Sequence, residues 1–270
     1  VKALQDSVQR LGIAHPLHVH CNNLGVPGEG EAAAEATMLA AEGVPMHLAH
    51  IQFYGYGTDG RRGFSSQARR LADLVNARPE LTVDIGQVMF GQTVTISSDE
   101  LRQFAGRPLA RPRKSAIIDG DANGGGAVPM NYRRADYYNA MQWAIGLELF
   151  LMIDAPWRVF FTTDRPNGAS FTTYPDLFAL LMSRDLRTEW LDALPPGVRK
   201  RSALADLSRE YTLPEIAIMT RAAPARLLGL PDRGTLAPGA RADIAVYRPG
   251  ADVAAMFGAA EHVLKDGVPV

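Results

Sequence analysis

The chain has 270 residues, enough for one large domain or two small ones. Hydrophobic residues make up 47% and charged residues 21%, and the formal net charge is -1, which leaves no basic footprint for nucleic acid or for an anionic membrane surface. The single cysteine, Cys21, excludes an internal disulfide framework and points to a reducing, cytoplasmic setting; no apolar run approaches the roughly 20 residues that span a bilayer.

Leu4, Val8 and Leu11 fall on one helical face, so the chain opens inside an amphipathic helix. It stops within HVLKDGVPV, which reads as a strand pair, and it lacks an initiator methionine; truncation at both ends is the expectation. After the opening helix, PLHVHC (16–21) reads as a strand and the alanine- and glutamate-rich segment 28–43 as a helix ending at Gly43. VPMHLAHI (44–51) is the next strand, 52–64 a glycine-rich loop, and SSQARRLADLVNA (65–77) a helix with a serine N-cap. LTVDIGQV (81–88) is a third strand. Residues 89–130, with GRPLARPRK and GDANGGGAVP, read as a long irregular insertion of the kind that serves a function. A long apolar helix (131–153), a buried strand (157–163) and helices at about 175–193 and 201–228 follow, with Pro214 near a helix start. From Gly234 onward, glycine and proline turns surround a short strand that belongs to a separate unit.

Strands alternating with helices indicate a parallel α/β architecture. Four βα units, with strands near 17, 46, 82 and 158, suit either half of an eight-stranded barrel or a small open sheet. In a barrel, reactive residues lie at the C-terminal ends of strands. His20 ends the first strand, with His18 one layer deeper on the same face. His47 and His50 have opposite parity, and His50 ends its strand, so His50 is the site candidate. Asp164 follows the fourth strand directly. Singly, each residue also has a structural reading: a hydrogen-bonded histidine, or an aspartate capping the next helix. Together they are imidazole, imidazole and carboxylate at three equivalent strand ends, a donor set suited to zinc, which lowers the pKa of bound water to about 7. Asp84, read as lying mid-strand, is expected to be a buried polar group rather than a site residue, Cys21 a small core residue, and His18 a packing residue of the interior rather than one that orients a ligand histidine. The arginines of 107–113 could grip an anionic ligand tail or form a solvated loop face.

VHCNN around His20, HLAHIQF around His50 and TTDRPNG around Asp164 resemble the metal-ligand segments that follow strands five, six and eight of the amidohydrolase superfamily. LPEIAIMTRAAPARLLGL (213–230) followed by GTLAPGARADIAVY (234–247) resembles that superfamily's last barrel helix and its return to a small β-sandwich. Across essentially the whole chain the likeness is to the A subunits of formylmethanofuran dehydrogenases. The resemblance implies the C-terminal half of a TIM-like (β/α)8 metal-dependent hydrolase barrel over 1–233 and part of a β-sandwich over 234–270. It implies a dinuclear zinc site in which His20 and His50 bind one ion, while Asp164 binds the other and serves as the acid/base. The implied reaction is hydrolysis of an N-formyl amide of a one-carbon carrier, formylmethanofuran or a bacterial analogue, to formate and free amine. The implied partners are the other subunits of a formyltransferase/hydrolase complex. The superfamily's His-x-His of strand one and its carboxylated lysine of strand four have no counterpart here, and Arg165 stands where a histidine is expected. Two rival readings are a cyclic-amide hydrolase of the dihydroorotase or dihydropyrimidinase kind, and a non-catalytic scaffold subunit.

Overall fold

Leu17–Val19 (β1), Met46–Leu48 (β2), Leu81–Asp84 (β3) and Val159–Phe160 (β4) form a parallel sheet in that order, in a computed structural model that describes residues 1–97, 117–118 and 126–270. The register puts His18 beside His47 and His47 beside Thr82, so three polar side chains share one row across β1, β2 and β3. Strand order follows chain order without the reversal that marks a doubly wound sheet. Met46, His47 and Leu48 are all buried, as in a parallel strand covered on both faces.

The helices explain that cover. Lys2–Arg10 (α1) precedes the sheet, and Glu29–Leu39 (α2), Ala68–Asn76 (α3) and Tyr137–Met152 (α4) connect successive strands. In α3, Ala68, Leu71, Ala72 and Val75 recur at helical spacing and form its buried stripe. Helix α4 is apolar nearly all round and is buried accordingly, with Trp143, Ile145, Leu147, Leu149 and Phe150 fully enclosed.

Several boundaries differ from the sequence-based expectation. The stretch 89–130 is not wholly irregular: Gly91–Ser97 pairs antiparallel with Gly126–Tyr132, and Ile117–Ile118 adds to the same sheet. The alternating β-branched residues Thr93, Val94, Thr95 and Ile96 carry that signal, beside the nearby glycines and prolines. The arginines of 107–113 lie outside the described residues. Helix α4 starts six residues later than expected because 131–132 belong to the ribbon and Asp136 caps the helix, accepting from the amides of Tyr138 and Asn139. Ser65 and Ser66 are not the first residues of a helix. They pair with Gly57 and Tyr56, and α3 begins at Ala68, whose amide donates to the Ser66 hydroxyl at 3.2 Å. The expected helix at 175–193 is two, Tyr174–Met182 and Arg184–Asp192, divided at Ser183, whose hydroxyl caps the second. The expected helix at 201–228 begins only at Leu213, with a Thr212–Glu215 capping box and Pro214 in its first turn. Beyond Gly234, Ile244–Val246, His262–Lys265 and Val268–Pro269 make a separate antiparallel sheet.

One carboxyl group is enclosed in this scaffold. Glu148 on α4 has 0% exposure and accepts from the Ser66 hydroxyl and the Ala203 amide. Burial pushes its pKa up to about 7, against those hydrogen bonds. A carboxyl raised on folding stabilises most below its ordinary pKa, and that contribution is lost as pH rises through about 7. Glu148→Gln keeps the shape and removes the titration. Its stability relative to wild type, read from urea midpoints, is expected to rise by roughly 2–3 kcal/mol between about pH 4.5 and about pH 8. A flat difference across that range contradicts the assignment.

Candidate metal centre

The sheet delivers its reactive side chains at one end. His20 follows β1, and His50 lies two residues beyond β2 in a left-handed turn with φ of 36°. Asp164 lies four residues beyond β4, also left-handed, with φ of 47°. Non-glycine residues rarely adopt that conformation, and such backbone outliers gather at functional sites.

His20 Nδ1 and His50 Nε2 stand 2.7 Å apart, aimed at each other. His50 is buried, and its Nδ1 has no partner among the described residues. Burial pushes its pKa down to about 4, with the neighbouring Asp84 charge opposing, so the ring is neutral at ordinary pH, the form that ligates a metal. The donor set therefore fits a divalent metal: two facing imidazoles, one held neutral, and carboxylates nearby.

His50 is fixed from beneath. Its amide donates to Asp84 Oδ1 at 2.9 Å, and the Thr162 hydroxyl donates to the same oxygen at 2.6 Å. Asp84 Oδ2 lies 3.1 Å from His47 Nε2, and His47 Nδ1 lies 2.9 Å from Thr82 Oγ1. Burial alone would raise the Asp84 carboxyl, but hydrogen bonds from His47, Thr162 and the His50 amide outweigh it and hold the group below the usual carboxylate range. Gly86, with φ of 70°, completes the support: a Cβ there would fall 2.6 Å from His50 Cβ. Only glycine lets the β3 turn press so closely on His50.

Asp84 is buried, as the sequence favoured, and it also takes the supporting role that was the less favoured reading. Taking 81–88 as one strand put Asp84 in its middle. Strand β3 ends at Asp84, the position that the strand-end rule selects. The parity argument that set His47 against His50 also fails: β2 stops at Leu48, and the left-handed turn re-aims His50, so both residues reach Asp84, His47 through its ring and His50 through its amide. His18 is exposed in this chain; its ring stacks on His20 at 5.1 Å and meets His47 edge-on at 4.9 Å. Loss of water on the packed side, then the charge of His47, lowers its pKa. Cys21 is a buried core residue, as expected, with its thiol raised by burial.

Among the described residues, His18, His47 and Asp84 are the set of three whose ligand atoms all lie within 4.8 Å of one another. His20 and His50 meet, whereas Asp164 does not join them within that span. Burial pushes Asp164 up to about 6, helped by the Asp84 charge and opposed by the Asn167 amide, which donates to Asp164 Oδ2 at 2.9 Å. The following Arg165–Pro166 bond is cis, and the Arg165 guanidinium turns away to lie 4.3 Å from the centre of the Phe171 ring.

Known proteins share this arrangement of chain and strands. The sequence pattern of the Amidohydrolase family matches residues 2–270. The A subunit of the formyltransferase/hydrolase complex Fhc of Methylorubrum extorquens is 51% identical over 275 residues, covering 100% of this chain and 50% of that protein. Protein FwdA of Methanocaldococcus jannaschii is 38% identical over 287 residues, covering 99% of this chain and 50% of that protein. The chain thus spans about half the length of the curated relatives it matches. Among solved structures, the crystal structure of the FhcABCD complex from Methylorubrum extorquens with methylofuran contains a chain that superposes with a TM-score of 0.93 at 52% identity, covering 100% of this chain and 49% of that one. An N-acyl-D-glutamate deacylase from Bordetella bronchiseptica matches with a TM-score of 0.53 at 18% identity, covering 100% of this chain and 55% of that one, a likeness of fold alone.

Proposed function

Because the chain belongs to the amidohydrolase family, we propose that His20, His50 and Asp164 form part of a dinuclear zinc site that hydrolyses an N-formyl amide of a one-carbon carrier, giving formate and the free amine. The observation that carries this reading is the facing pair His20 Nδ1 and His50 Nε2 at 2.7 Å, with His50 held neutral. The carrier, a methanofuran or methylofuran amine, and the partner subunits of a formyltransferase/hydrolase complex are taken from what the relatives bind and assemble with. The parallel, unreversed strand order supports one side of a barrel over 1–233, and the antiparallel sheet beyond 234 supports a piece of a β-sandwich. The remaining zinc ligands are assigned to residues outside this sequence, since the relatives are about twice as long. A cytoplasmic home accords with the lone reduced cysteine; no described helix is long and apolar enough to cross a membrane.

Zinc, when bound here, would supply hydroxide at neutral pH and Lewis-acid polarisation of a carbonyl. His20 and His50 would hold it through ring nitrogens, and Asp84 keeps His50 in place through the backbone amide. Asp164, raised towards neutrality, accepts the proton of the attacking water and delivers it to the departing amine nitrogen, so the C–N bond breaks with the proton balance closed. Metal analysis of the full-length protein tests the ligand assignment: about two zinc ions per chain, falling by about one in His20→Ala/His50→Ala. No bound zinc in the wild type favours a scaffold role instead.

A further inference from the structure

Away from the histidine cluster, three arginines face one cavity. Arg61, Arg62 and Arg201 line it with Tyr137 and Gly197, and its volume is about 440 Å³, within the range of small-ligand sites. Other arginines of the chain sit on carboxylates: Arg70 on Glu31 and Glu35, Arg199 on Asp192, Arg241 on Asp232 and Asp266. Arg61, Arg62 and Arg201 have no carboxylate partner among the described residues. The neighbouring Asp59 does not line the cavity; its carboxylate takes a long, 3.5 Å contact from the Ser65 hydroxyl.

Two of the three guanidinium groups are also positioned. The Arg62 guanidinium lies 4.5 Å from the centre of the Tyr137 ring, and that ring is fixed by its hydroxyl donating to the Phe64 carbonyl at 2.7 Å. Arg201 lies across Gly60, where φ is 79° and a Cβ would fall 2.0 Å from Arg201 Nε, so this glycine makes room for the guanidinium. The Arg201 backbone is tied on both sides, its amide to Val198 and its carbonyl to the Ser66 amide. Three like charges lining one cavity, with no carboxylate on them among the described residues, repel one another, and a bound anion relieves that repulsion. Guanidinium groups grip planar oxyanions through paired hydrogen bonds.

The geometry points to an oxyanion-binding site at Arg61, Arg62 and Arg201 that takes a phosphate group or a cluster of carboxylates on a small-molecule ligand. The loop bearing Arg61 and Arg62 continues from the segment that carries His50, so the site lies on the same connection of the fold as the candidate metal centre. The assignment stands on the arginines and the cavity and does not depend on the hydrolase reading.

Calorimetric titration of the full-length protein with inorganic phosphate and, separately, with citrate tests it at low ionic strength. Saturable binding of at least one anion is expected, weakened by roughly tenfold or more in Arg62→Ala/Arg201→Ala. Tighter phosphate marks a phosphate-bearing ligand, and tighter citrate marks carboxylates. If the double alanine variant does not fold, Arg62→Lys/Arg201→Lys keeps the charge but loses the paired geometry, and it is expected to bind more weakly than wild type. Absence of saturable binding for both anions, or affinity unchanged in a folded variant, overturns the site.

Discussion

Asp164→Asn, made in the full-length protein, is expected to lower turnover by roughly 10²–10⁴-fold, the usual contribution of a general acid/base, while zinc content stays close to wild type. Asparagine keeps the side chain's size and can still accept the hydrogen bond that Asn167 donates to Asp164 Oδ2. What it cannot do is take a proton from water and pass it to an amine. Steady-state rates with metal analysis on the same preparation check both halves. Near-normal turnover removes Asp164 from the chemistry. Joint loss of zinc and activity makes it chiefly a ligand.

Asp84→Ala is expected to cost about 3 kcal/mol of stability and to weaken metal binding by about 10–100-fold. Three donors converge on this carboxylate: the His50 amide, the Thr162 hydroxyl and His47 Nε2. Truncation leaves them buried without an acceptor, and each unsatisfied group costs about 1–3 kcal/mol. It also frees the left-handed turn that aims His50 at His20. Asp84→Asn separates shape from charge. Its oxygen can still accept from the His50 amide, so its losses are expected to be smaller than those of the alanine variant. Urea midpoints and a zinc titration read the two effects. A loss under about 1 kcal/mol with unchanged zinc affinity shows that Asp84 does not support the site.

The four parallel strands were legible because each is a short, largely apolar run, with helices of clear periodicity between them. The strand-end rule singled out His20 and His50 one by one, and the structure brings their ring nitrogens within 2.7 Å. The base of the site was not. Ile85 and Val88 extend the apolar pattern past Asp84, but Gly86 at φ of 70° ends the strand, a conformational fact that hydropathy does not carry. Parity likewise applies only while the chain stays extended, and the turn at His50 breaks it two residues past β2. The arginine cavity depends on residues far apart in the chain that meet only through the packing of Gly60 against Arg201. Breaker-rich flanks hid the ribbon of Gly91–Ser97 and Gly126–Tyr132, whose pairing is a long-range property.

Formate release from the N-formylated methylofuran-type amine by the full-length protein tests the central claim most directly. The account predicts formate and free amine in equal amounts, with release abolished in His20→Ala/His50→Ala. Zinc-loaded protein that releases no formate, or a double variant that releases it at the wild-type rate, contradicts it.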